Sequence, residues 1–185
     1  MFDDALAFAS QLHRDQRRKG TDIPYISHPL GVCAIVLEHG GMQDEAIGAL
    51  LHDALEDQGD KITAAGIEER FNAQVRAIVQ GCTDGTGDRG PDTWRARKEA
   101  YIQHLYAEQN RSVLLVSLAD KLHNASTILR DLRTQGVSVF DRFNSSQAGV
   151  LWYYGAVRDA FAQNPRSPES LVTELSRVVE QITAS

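Results

Sequence analysis

Apolar residues recur at three- and four-residue spacing along almost the whole chain, and alternating β-branched runs between turn dipeptides are nearly absent. A period near 3.6 lets a chain bury one face only by coiling into helices, so the sequence predicts an all-α fold. A first helix is expected from Phe2 to about Gln16, with Phe2, Leu6, Ala9 and Leu12 inward, and a second from His28 or Pro29 to Gly40 and Gly41. A third should run from about Gln43 to Asp57, followed by shorter ones over Thr63–Phe71 and Asn72–Gly81. The Gly- and Asp-rich segment CTDGTGDRGPD reads as the longest loop. Helical pattern resumes over Thr93–Glu108, Ser112–Arg133 and Ser146–Gln163. The last helix is expected to be capped by Ser167 with Pro168 at its first position, and Leu171, Leu175, Val178 and Ile182 form its apolar stripe.

With 185 residues, 42% of them apolar, one domain with a sizeable core accounts for the chain. A net charge of -6 repels nucleic acid and anionic membrane at long range, so an anionic ligand must meet local cations. The N-terminal MFDDALAFAS carries acids where a secretory signal carries lysine or arginine, and no apolar run approaches the roughly 18 residues of a membrane span. A soluble, cytoplasmic protein is therefore expected, with no nucleic-acid or membrane partner; the sequence sets no oligomeric state. Cys33 and Cys82 form no CxxC pair and are expected to be reduced core residues.

The third helix, ALLHDALEDQ, sets His52 and Glu56 four residues apart and Asp53 and Asp57 four apart, so the four should share one broad face. Ala49, Leu50, Leu51, Ala54 and Leu55 interleave with them. Buried carboxylates need a counter-charge or a cation. On this helix alone, a metal site and a solvated polar face are equally good readings. In VLLVSLADKLHN, Asp120 follows an apolar run and Asn124 lies one turn on. With the lone His28 between Tyr25 and Pro29, two imidazoles and two carboxylates from three segments would suit Mn²⁺, Fe²⁺ or Zn²⁺ and leave positions for water and a substrate oxygen.

His28, the pair His52–Asp53 and the distant Asp120 resemble the H…HD…D metal motif of the HD-type phosphohydrolase superfamily. PYISHP, HDALED and LADKLHN further resemble the hydrolase domain of the RelA/SpoT proteins, most closely the free-standing small alarmone hydrolases of metazoan SpoT-homologue type. The resemblance spans about residues 6–154, leaving a C-terminal helix over about 168–183, all within one HD-type domain of residues 1–185. It implies one divalent metal, usually Mn²⁺, on His28, His52, Asp53 and Asp120, with Glu56 and Asp57 as the acidic catalytic pair. It further implies a nucleotide-sugar contact at Asn124 and a basic pair, Arg18 and Lys19, at the substrate mouth, where composition alone would read Arg17, Arg18 and Lys19 as a solvated loop. Tyr25 stands either beside the base or as a support of that loop.

The activity so implied is hydrolysis of guanosine tetra- or pentaphosphate to pyrophosphate and GDP or GTP. The same site could serve an adenosine alarmone, NADPH or a nucleotide 5′-phosphate, or a non-enzymatic alarmone-binding module; the acidic pair argues against the last. Two departures stand out: GTDIPY replaces the shorter SGEPY form, and Gly155 follows LWYY where an arginine is expected. Trp94, Arg95, Arg97 and Lys98 form either the phosphate end of the pocket or an exposed helix start. His123 is not expected on the metal, and His13, His39 and His104 are assigned no role.

Overall fold

A computed structural model describes residues 1–83 and 90–185. The described residues form ten α-helices and one 3-10 helix with no strand; a single antiparallel bridge joins Arg17 to Pro24. The helices are α1 (Phe2–Leu12), α2 (Ser27–Glu38), α3 (Gln43–Leu51), α4 (Ala54–Asp57), α5 (Ala64–Arg70), α6 (Ala73–Cys82), α7 (Pro91–Ala107), α8 (Arg111–Gln135), α9 (Gln147–Gln163) and α10 (Glu169–Thr183). The 3-10 helix, Gly136–Arg142, occupies part of the stretch that the sequence leaves irregular. Residues 84–89, the heart of the expected long loop, lie outside the described part.

Local chemistry sets the boundaries. Side-chain oxygens of Thr63, Asn72, Asn110 and Ser146 accept backbone N–H groups in the first turns of α5, α6, α8 and α9, satisfying donors that a helix start leaves unpaired. Gly40 and Gly136, with φ of 81° and 69°, follow α2 and α8 in a conformation that a Cβ disfavours. Glu45 accepts from the N–H of Met42 at 3.0 Å and from the Ser112 hydroxyl at 2.8 Å, so one carboxylate caps α3 and ties it to the start of α8.

The long helix α8 forms the axis, with α2, α3, α6, α9 and α10 packed around it. Val113, Leu114, Val116, Leu118, Ala119, Leu122 and Ala125 are all buried along it. Cys33 and Cys82 are buried and unpaired. Among the described residues no helix is long and apolar enough to cross a membrane.

Three details differ from the expected pattern. The inward residues of α1 are Ala5, Ala9 and Leu12, while Leu6 is exposed; two alanines let α1 lie close against α3. In α10 the buried stripe ends on Val179 and Ile182 rather than Val178, as the 3.6-residue turn carries the stripe around the helix, and Pro168 rather than Ser167 sits at the N-cap.

The third difference is the largest: the expected helix from Gln43 to Asp57 breaks after Leu51. His52 Nδ1 bonds the carbonyl of Ala49 at 2.8 Å, the group that an unbroken helix would offer to the N–H of Asp53. Asp53 then sits at φ −93° and ψ −1°, and α4 starts after it.

Leu171 on α10 is fully buried. Leu171→Ala should lower stability by about 2–5 kcal/mol, read as a drop in urea midpoint without a change in slope; a loss below about 1 kcal/mol would mean that α10 is not part of the cooperative core.

Candidate metal centre

Three segments meet beside α8. His28 enters from the first turn of α2, His52 and Asp53 from the break between α3 and α4, and Asp120 from the middle of α8. His28 Nε2 lies 3.0 Å from Asp120 Oδ1 and 3.2 Å from His52 Nε2. His52 Nε2 lies 3.6 Å from Asp120 Oδ1 and 3.0 Å from Asp53 Oδ2, which is itself 3.6 Å from His28 Nε2. His28, His52 and Asp120 thus form a buried group able to hold a metal ion, with donor atoms within 4.8 Å of one another, and Asp53 stands at its edge.

The donor chemistry fits a divalent cation. A carbonyl can only accept, so His52 Nδ1 carries a proton toward Ala49, and Nε2, which faces the centre, is the nitrogen that a cation would take in exchange for a proton. Ligands about 2.1 Å from a common ion stand roughly 3.0 Å apart in octahedral and 3.4 Å apart in tetrahedral geometry, close to the spacings found. The centre also demands positive charge. Burial would drive His52 toward its neutral form, yet Asp53 and Asp120 hold it well above its ordinary value. Burial would likewise raise Asp120, but Lys121 and the two imidazoles keep it well below the usual carboxylate range.

Each expected ligand is steadied from behind. Lys121 Nζ and Asn124 Nδ2 both donate to Asp120, each at 2.6 Å. Tyr25 donates its hydroxyl to Asp53 Oδ2; burial and the Asp53 and Asp57 carboxylates raise its phenol, keeping the proton in place. Tyr25 is therefore packed at the metal centre and into the loop together. His28 Nδ1 lies 2.9 Å from His123 Nδ1. Burial, then the neighbouring His28 and Arg18, push His123 down to about 4, so it is neutral near pH 7 and can accept the Nδ1 proton of His28. Sequence reasoning left His123 out; its position three residues after Asp120 was the available signal. Gly31 makes room for it, since a Cβ there would lie 2.3 Å from two atoms of the His123 ring.

These supporting side chains also floor a cleft of about 500 Å³, a size that suits a nucleotide. Tyr25, Lys121, His123 and Asn124 form its metal end, while Arg18, Lys19, Lys98, Arg130 and Arg142 bring positive charge to its walls against Asp131, the one acid among the described lining residues. Trp94, Phe143, Tyr153 and Tyr154 supply aromatic surface. The expected substrate residues Arg18, Lys19, Tyr25 and Asn124 therefore come together here. Arg18 donates to Asn124 Oδ1 at 2.7 Å and sits 5.8 Å from the centroid of the Tyr25 ring. Lys19 reaches Asn144. The loop that carries both is closed by the Arg17–Pro24 bridge, by bonds from Arg18 N to Ile23 O and Tyr25 N to Gln16 O, and by Gly20, whose φ of 71° suits glycine.

The start of α7 is divided between its two readings. Trp94 and Lys98 line the cleft, whereas Arg95 lies over the Trp152 ring and pairs with Glu99. Gly155 lies off the cleft lining and a Cβ there would meet nothing within 4 Å, while the two preceding tyrosines line the cleft. Glu56 and Asp57 are not among the lining residues; Asp57 accepts from Gln16 Nε2 at 2.7 Å.

Residues 5–150 match the HD domain family. The guanosine-3′,5′-bis(diphosphate) 3′-pyrophosphohydrolase MESH1 of Xenopus tropicalis is 41% identical over 133 residues, covering 70% of this chain and 68% of that protein. Its Homo sapiens counterpart is 39% identical over 136 residues, with 70% and 68% covered. A solved structure of a metazoan orthologue of SpoT, described as hydrolysing ppGpp and acting in starvation responses, superposes with a TM-score of 0.77 at 25% identity, over 97% of this chain and 94% of that one.

Gly31→Ala should displace the His123 ring and free His28 to tilt. Divalent-metal affinity should fall about 10- to 100-fold, as when other partners behind a metal ligand are lost. Calorimetric titration with Mn²⁺ measures this, and an unchanged affinity would remove His123 from the support of the centre.

Proposed function

This chain belongs to the HD domain family, and we propose that it is a divalent-metal-dependent 3′-pyrophosphohydrolase of guanosine 3′,5′-bis(diphosphate), with His28, His52, Asp53 and Asp120 holding the metal and Mn²⁺ as the native ion. The observation that carries this reading is the meeting of a buried His/Asp centre with a cation-lined, aromatic cleft in a protein of net charge -6. MESH1, named for this activity, aligns over most of both chains and supports the choice of substrate.

A bound divalent ion acidifies a coordinated water and offsets charge on the attacked phosphoryl group. The remaining work falls to the side chains. Lys19, Lys98, Arg130 and Arg142 would bind the phosphates, supplying the attraction that the net charge denies. Arg18, with Tyr25 beneath it and Asn124 as its partner, would offer its guanidinium face to the purine and release Asn124 to the sugar. Glu56 and Asp57 would orient the attacking water and accept its proton. Water adds to the phosphorus bound to O3′ as that P–O3′ bond breaks, and the proton taken from the water by the acidic pair passes to O3′, so that pyrophosphate and GDP with a free 3′-hydroxyl leave; the pentaphosphate gives GTP.

Purified protein with Mn²⁺ should convert ppGpp to GDP and pyrophosphate, resolved by anion-exchange chromatography, and chelation should abolish the reaction. An adenosine alarmone, NADPH and nucleotide 5′-phosphates in the same assay decide the base and the phosphate position. Intact ppGpp at high enzyme concentration would refute the proposal.

Asp53→Ala should lose metal and turnover together. Glu56→Ala should keep metal and nucleotide binding and lower kcat by about 100-fold or more; parental kcat in Glu56→Ala would remove Glu56 from the chemistry.

A further inference from the structure

Outside both the metal ligands and the cleft lining, a chain of polar side chains ends on Asp57. Lys61 Nζ lies 2.7 Å from Gln58 Oε1, Gln58 Nε2 lies 2.9 Å from Gln16 Oε1, and Gln16 Nε2 lies 2.7 Å from Asp57 Oδ2. His13 Nδ1 joins at Gln16 Oε1, also at 2.7 Å. His13 and Gln58 are only 1% and 8% exposed, and burying such groups is unfavourable unless they are paired.

The direction of every link follows from Lys61. An ammonium can only donate, so the Gln58 atom facing it is the oxygen, and the Gln58 amide must donate to Gln16. The Gln16 oxygen is then an acceptor twice over, which places the His13 proton on Nδ1. The Gln16 NH₂ is left to donate to the Asp57 carboxylate. Gln16 is held from its backbone as well, because its carbonyl accepts from the N–H of Tyr25 at 3.0 Å. One residue thus joins the loop bearing Arg18 and Lys19, the end of α1, and the carboxylate on α4.

We infer that Gln16 is a positioning residue for Asp57, its amide aimed by Gln58, Lys61 and His13 so that Asp57 is presented to the reaction in one orientation and as a hydrogen-bond acceptor. The carboxylate so held belongs to the proposed acidic pair, Glu56 and Asp57. The inference rests on the reading of Asp57 as one of that pair. It gives His13, buried and without a part in the metal centre, a function through Gln16.

The test compares the metal-loaded full chain with Gln16→Leu, Asp57→Ala and the double variant in steady-state ppGpp hydrolysis. Gln16→Leu should lower kcat about 10- to 100-fold while KM and bound metal per chain stay at parental values. The double variant should be no slower than Asp57→Ala alone, because a residue acting only through Asp57 has nothing left to act on. A parental kcat in Gln16→Leu, or losses that multiply in the double variant, would overturn the inference. Side-chain amide NMR gives a readout independent of turnover. A Gln16 amide proton bonded to a carboxylate should resonate downfield in the parent and lose that shift in Asp57→Ala. If the Gln16 amide ignores Asp57→Ala, the inference is overturned whatever the substrate. If the shift behaves as expected and ppGpp stays intact, the array stands and only the substrate reading falls.

Discussion

The carboxylate of Asp120 sits in the middle of the longest helix, among buried leucines, valines and alanines, and its charge has to be met there. Much of the architecture follows from that requirement. Lys121 and Asn124 engage it from α8 itself, and His28 and His52 are brought to it by α2 and by the end of α3. An isolated buried carboxylate would be strongly unfavourable, and here two imidazoles and a second carboxylate, that of Asp53, converge beside it. The arrangement is coherent as the cradle of a divalent ion.

The same groups connect that cradle to the cleft. Tyr25, Lys121, His123 and Asn124 each touch a metal-site residue on one side and line the cleft on the other. Lys121 belongs to both, so the cations of the cleft walls are continuous with the charge beside Asp120. Electrostatics at two scales are reconciled: the molecule as a whole is acidic, and the interior of the cleft is basic.

The all-helical class and the gathering of His28, His52, Asp53 and Asp120 were legible in the sequence, because periodicity marks helices and buried acids within apolar runs stand out. Arg18, Lys19 and Asn124 were legible only through the family motifs. What could not be foreseen depends on particular contacts. The break at His52 arises because an imidazole takes a carbonyl that the helix would use itself, a competition that spacing cannot display. His123 looked idle because its partner, His28, lies 95 residues away, and Gly31 gives no hint that its missing Cβ makes space for that ring. His13 and Gln16 were likewise unremarkable until the turn after α1 met Asp57 and Gln58. In α1 the pattern misled at one position, because Ala5 rather than Leu6 belongs to the close-packed face.

The account stands or falls on whether the His/Asp centre holds the ion. Crystals of the protein grown with Mn²⁺ and measured at the manganese absorption edge would decide it. The account predicts one strong anomalous peak within coordination distance of His28 Nε2, His52 Nε2 and Asp120 Oδ1, with Asp53 as the fourth protein ligand. An ordered centre without a peak, or a peak only elsewhere on the chain, would contradict it.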